Sequence, residues 1–141
     1  MPNIIQRADG SMGIEGKDYG EGDAVAVNVE YVAASVDKVA YIAPRQMRVV
    51  SIVARVEVAG TDAGAVTGAV RKAASGTAIA SGTALHSSTW NLKGTAATNQ
   101  TLTLSTTSAD LDIPAGTSIG LDFTGVLTTA TGVVTIGLRW A

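Results

Sequence analysis

The sequence contains no cysteine and a single histidine, His86. Without cysteine there is no disulfide framework, no thiolate metal site and no thiol nucleophile. With one imidazole, most zinc enzymes are excluded, and a Ser-His-Asp triad would have to be built on His86 alone. Charge is also scarce: charged residues make up 16% of the chain, and a net charge of -2 offers no basic footprint for nucleic acid. The aromatic residues are Tyr19, Tyr31, Tyr41, Trp90, Phe123 and Trp140, fewer than a base-stacking or sugar-binding module calls for. No window of 11 residues carries apolar side chains at helical spacing. The long uncharged runs, Ala73 to Leu92 and Phe123 to Leu138, are interrupted by Ser, Gly and Thr, so neither predicts a membrane-spanning helix. Met1 to Ile5 shows no basic region leading into an apolar stretch, and no secretory signal is expected.

What is present is small. The 141 residues include 23 Ala, 17 Thr, 16 Val and 16 Gly, about half the chain. Branching at Cβ fits Thr and Val to a pleated surface, and Gly with Ser supplies turns. The length suits one domain with one real core. Residues 1–23 differ from the rest: Gly10, Gly13, Gly16, Gly20 and Gly22 mix with Asp9, Glu15, Asp18, Glu21 and Asp23, against Arg7 and Lys17. That composition predicts a flexible, Gly-rich, acidic arm ahead of a single domain at 24–141.

From residue 24 the pattern alternates. Val25, Val27, Val29 and Tyr31 share one face of a strand, with Asn28 and Glu30 on the other. Val39 and Tyr41 predict a short strand stopped by Ala43-Pro44. Gln46 to Ala59 carries the longest signal, with Val50, Ile52, Ala54, Val56 and Val58 on one face and Ser51, Val53, Arg55 and Glu57 on the other. Met47 and Val49 are out of phase, which predicts a bulge or a passage between sheets. Thr61 to Gly64 is a turn, and Ala65 to Lys72 a weaker strand. Two tandem hexapeptides, Ala74 to Ile79 and Ala80 to Leu85, predict two similar turns, since two rungs are too few for a β-helix. Further strands are expected at Trp90 and Leu92, at Leu102 and Leu104, at Ile119 to Phe123, and at Val134 to Trp140, with a turn at Asp112 to Gly116. About eight short strands without helices predict an all-β, antiparallel two-sheet sandwich, jelly-roll-like, with an immunoglobulin-like sandwich as the competing arrangement.

Few residues invite chemistry. His86 lies among Leu85, Ser87 and Ser88 with no local nucleophile or carboxylate, and reads as a surface or interface residue. Asp110 and Asp112 share a face and Asp122 could approach them, but calcium requires six to eight oxygens, so the turn-forming role is favoured. Arg45 and Arg48 flank a turn, with Arg55 and Arg71 elsewhere, and read as solvated or paired to carboxylates. Lys38 and Asn28 are the residue types of an internal isopeptide staple, with no further support. Paired carboxylates from Asp110, Asp112 or Glu57 would be the basis of a small glycan hydrolase. No catalytic, cofactor or metal residue is assigned, and no cofactor is expected.

The stretch Ser108 to Gly125, with Leu127-Thr128 and Gly132-Val133-Val134, resembles head decoration, or cement, proteins of tailed double-stranded DNA phages. Tyr41-Ile42-Ala43-Pro44-Arg45 leading into Val49-Val50-Ser51-Ile52 is similar in pattern, so the likeness spans roughly residues 38–141, and it is nearest to cement proteins of short-tailed phages. The resemblance implies a jelly-roll-like domain without catalysis, made in the bacterial host cytoplasm and seated on the outer capsid surface over junctions between subunits. Its implied partners are the major capsid protein and itself, a homodimer slightly favoured over a homotrimer, with neither nucleic acid nor membrane. A receptor- or glycan-binding module of a phage tail or head fibre is the other reading.

Overall fold

A computed structural model describes residues 4–6, 12–14, 24–33 and 36–141. In the amino-terminal part, β1 (Ile4–Gln6) pairs antiparallel with β2 (Met12–Ile14). The expected flexibility of the 1–23 arm otherwise lies outside the described residues.

The remaining strands are β3 (Ala24–Tyr31), β4 (Lys38–Ile42), β5 (Met47–Val58), β6 (Thr67–Ala73), β7 (Thr83–Ala84), β8 (Trp90–Asn91), β9 (Thr98–Thr101), β10 (Asp112–Ile113), β11 (Ser118–Thr124) and β12 (Thr131–Trp140). They form two antiparallel sheets. In the first, β12 lies between β3 and β5, and the far side of β5 is lined by β10 at one end and β9 at the other. In the second, β11 lies between β4 and β6, and the far side of β6 is lined by β7 and β8. If each pair of short strands is taken as one interrupted strand, both sheets are four strands wide. The chain changes sheet from β3 to β4, β4 to β5, β5 to β6, β8 to β9, β10 to β11 and β11 to β12. This is the connectivity of a jelly roll and not of the immunoglobulin-like alternative.

Alternation explains most of the burial. Val29 and Tyr31 of β3, Ile119 and Leu121 of β11, and Val134, Ile136 and Leu138 of β12 are buried between the sheets. Trp90 is fully buried, with the Tyr31 ring edge-on at 5.4 Å and the Phe123 ring tilted at 6.0 Å.

Where the pattern slips, a bulge accounts for it. Gly137 pairs with Ser51 but Leu138 pairs with Val49, so Val50 is the extra residue. Met47 and Val49 thereby rejoin the core, and β5 stays in one sheet throughout. Val50 is instead 45% exposed, against its expected inward direction. A second shift at Glu57 leaves Val58 exposed as well. A third places Ala40 as the extra residue of β4, between Tyr41 paired to Ile119 and Val39 paired to Gly120. Ala40 and Tyr41 pack on the core, and Val39, which simple alternation would place on the same face as Tyr41, faces out.

The two hexapeptides both turn but do not share a conformation. The first closes with Thr77 N–H to Ala74 C=O about Gly76 at φ +85°. The second is entered through a 3-10 turn at Ile79–Ser81, which straddles the junction, with Gly82 extended and pressed against Lys72 C=O. The strand expected at Leu102 and Leu104 lies earlier, at β9. Leu102 is buried, donating its N–H to Ile52 C=O, and Leu104 makes an isolated bridge to His86.

Candidate interaction surface

The polar residues singled out in the sequence do not converge. Asp112 is ion-paired to Arg48 at 2.5 Å, Asp122 to Arg71 at 2.6 Å and Glu57 to Arg55 at 2.8 Å. Asp110 accepts a hydrogen bond from the Ser105 hydroxyl at 2.6 Å. The guanidinium of Arg45 lies 5.3 Å from the Trp140 ring centre. Lys38 donates to the Glu30 carbonyl at 2.5 Å, while the Asn28 amide oxygen accepts from Thr135 at 2.7 Å on the outer face. Among the described residues no three His, Asp or Glu side chains gather at a metal-binding distance.

His86 is buried, not a surface residue, and both of its ring nitrogens meet main-chain groups. Leu85 N–H bonds Val70 C=O at 2.9 Å, but the chain then leaves β6 and no strand carbonyl remains for the Val70 N–H. His86 Nε2 accepts it at 3.0 Å, and Nδ1 faces Ser88 C=O at 2.7 Å. An acceptor at Nε2 and a carbonyl beside Nδ1 require a neutral ring with its proton on Nδ1. Burial lowers the pKa of this imidazole; the Ser88 carbonyl opposes that shift, and the charge of Arg71 adds to it. Tyr31 is another buried titratable group: its hydroxyl reaches the Arg55 carbonyl at 3.4 Å, and burial raises its pKa to about 12.

The two long sides of the sandwich differ. On one, Ser87 N–H bonds Thr103 C=O at 2.9 Å and Ser105 N–H bonds Leu85 C=O at 3.0 Å. These bonds join the chain between β7 and β8, at the margin of the second sheet, to the segment following β9 of the first. That side is closed by main chain. The other side is bounded by β3 and β4, each the last strand of its sheet among the described residues.

The open side is apolar. Val25, Val27, Ala40 and Tyr41 are only partly covered there, and Val39 and Ile42 are exposed. At the adjoining end of the sandwich, Val36 is 75% exposed and Val126 61%. A surface groove of about 490 Å³ lies beside them, walled by Phe123 and Leu127. A second groove, of about 290 Å³, runs past Glu30, Val32 and Glu57. Isolated exposed valines need no explanation, but a contiguous set along one side does. Sequence reasoning missed this set. Its one signal was apolar residues in loops, Val32, Val36 and Val126, where strand alternation does not place them.

No protein-family model matches the chain, and no curated protein matches it either. Among solved structures it is similar to one described as "Bacillus endospore appendages form a novel family of disulfide-linked pili", at 16% identity and a TM-score of 0.45, covering 84% of this chain and 87% of that one. It is also similar to one described as "Cyanophage Pam1 capsid asymmetric unit", at 14% identity and a TM-score of 0.49, covering 96% of each chain.

Proposed function

We propose that this protein is a structural component of a phage virion, which binds the outer capsid surface and stabilises the shell by bridging neighbouring major capsid subunits. The carrying observation is the asymmetry of the sandwich. One side is closed by main-chain bonds, and the other presents Val39 and Ile42, continuing to Val36 and Val126 at the adjoining end. Such a body has one surface that gains by being covered, and a rigid core behind it. A clamp needs no reactive group; it needs contacts on two neighbours that must both break before they separate. The resemblance of residues 38–141 to phage cement proteins supports a capsid as the partner. Trp90 is buried against Tyr31, and Trp140 is half-covered beside Arg45, which favours this reading over a glycan-binding module with aromatic platforms on its loops.

The test is addition of purified protein to undecorated heads of the phage that encodes it. Saturable binding, with a higher temperature or chaotrope midpoint for head disruption, is expected. Val36→Asp and Val126→Asp lie at exposed positions where stability should change by no more than about 0.5 kcal/mol, yet they should abolish that gain. Heads that neither bind the protein nor resist disruption better would overturn the proposal.

A further inference from the structure

Among the described residues no strand pairs with the outer margin of β3. This free margin is complementary to itself, and the directions of its main-chain groups follow from bonds elsewhere in the sheet. Ile52 C=O accepts from Leu102 N–H, so even-numbered residues of β5 in this stretch point their N–H and C=O toward β9. Val53 and Arg55 therefore point theirs toward β12, where they pair with Thr135 and Val133. These two β12 residues also stand opposite Asn28 and Glu30 of β3. Having spent their main-chain groups on β5, they leave those of Asn28 and Glu30 directed at the free margin. By the two-residue period of the strand, Ala24 and Ala26 point the same way. The Lys38 amine, bound to Glu30 C=O from that side, agrees with this parity.

The side chains add a charge pattern. Arg139 stands directly opposite Ala24, on the exposed outer face. Among the described residues it is the one cation whose side chain has no partner, since Lys38, Arg45, Arg48, Arg55, Arg71, Lys72 and Lys93 are all engaged. The Glu30 carboxylate, on the same face at the other end of the strand, has no partner among them either.

We infer that β3 pairs with β3 of a second copy, antiparallel about a two-fold axis at Val27, joining the two first sheets into one. In this register Ala26 exchanges main-chain bonds with Asn28 of the second copy, and Ala24 does so with Glu30. Val27 faces its own counterpart, and Val25 faces Val29, on the core side, which extends cover over valines that are half-exposed in the single chain. Other in-phase registers keep the main-chain bonds, but this one also sets Glu30 across Ala24 of the second copy from Arg139. Two strand spacings, about 9–10 Å, separate their backbones, and only the methyl group of Ala24 lies between. The arrangement occurs twice about the axis, and the two Glu30 side chains lie at opposite ends of the ladder. Glu30 C=O has a second lone pair for Lys38. The pairing closes at two copies.

The absence of native cysteine gives a direct test. Facing residues in a non-hydrogen-bonded pair lie about 4.5 Å apart at Cα, within disulfide reach. Mild oxidation of Val27→Cys should give covalent dimers at least about tenfold faster than Thr101→Cys, placed on β9 away from this margin. In sedimentation at low salt, Glu30→Arg or Arg139→Glu alone should weaken the dimer about tenfold, and the double exchange should restore it. The exchange leaves the core untouched, so it reads the interface even if Val27→Cys fails to fold. A monomer or trimer in sedimentation, equal cross-linking of the two cysteine variants, or double-variant weakening that merely adds would each overturn the inference. No capsid enters these measurements, so their outcome is separate from that of the head-binding experiment.

Discussion

Trp90 covers Gly68, the residue directly opposite it across β6 and β8: a Cβ on Gly68 would sit 2.3 Å from ring carbon Cε3. Tyr31 lies over Gly132 on β12, its Cζ 2.7 Å from the corresponding position, which the Arg55 carbonyl crowds as well. In both pairs a large ring fills the space that a missing side chain leaves on the neighbouring strand, and the two rings then meet each other edge to face. The core is built around these two glycines as much as around the aromatics.

The glycines should accordingly respond unequally to a methyl group. Gly68→Ala is expected to destabilise by about 3 kcal/mol, because the obstructing atoms belong to a fully buried indole. Gly137→Ala meets chiefly the Ser51 hydroxyl, a short side chain at the surface that can rotate away, so its cost should stay within about 1 kcal/mol. Urea unfolding of the two variants beside the parent protein checks the contrast.

Stability should depend on pH through His86. Its pKa is lower folded than unfolded, so the unfolded chain binds more protons between the two values. Stability is then flat in this respect above the ordinary histidine value of 6.5, falls as pH drops below it, and levels off beneath the lowered folded value. His86→Leu should remove that dependence while lowering stability at pH 8 by about 2 kcal/mol, since the Val70 N–H loses its acceptor. Urea midpoints measured from pH 8 downward for both proteins give the comparison.

Two ion pairs of similar geometry should differ in worth. Asp122 is 14% exposed and its partner Arg71 27%, whereas Glu57 is 58% exposed and Arg55 40%. Asp122→Ala leaves a partly buried guanidinium with the Gly82 carbonyl for company, and should cost about 2 kcal/mol. Glu57→Ala should cost at most about 0.5 kcal/mol. Thermal or urea denaturation at moderate salt separates the two cases.

Periodicity made the long strands of this fold legible, because β3, β5, β11 and β12 each carry enough alternating residues to mark a face. Even the bulge at Val50 announced itself, as a phase slip around Met47 and Val49. The bulge at Ala40 did not: β4 is five residues long, and its slip depends on how β11 lies beside it. Strands of two residues, such as β7 and β10, are strands only through their partners, so no local pattern predicts them, whereas Trp90 and Leu92 did mark β8. His86 was visible as the single imidazole, but its acceptor role arises from an N–H left without a strand carbonyl at Val70, 16 residues earlier. The open side was hidden for a related reason. Alternation shows that β3 is half-buried, and nothing within β3 says whether it has one neighbour or two.

The position of β12 between β3 and β5 has a consequence for how the molecule comes into being. The hydrogen bond from Thr135 to Asn28 spans 107 residues of sequence, and the first sheet has no direct pairing of β3 with β5 to fall back on. During synthesis the early strands must therefore wait, their margins bare, until the segment from Thr131 onward is free to slide between them. Assembly in that order is slow and all-at-once, because the central strand of the sheet is the last of its strands to be made.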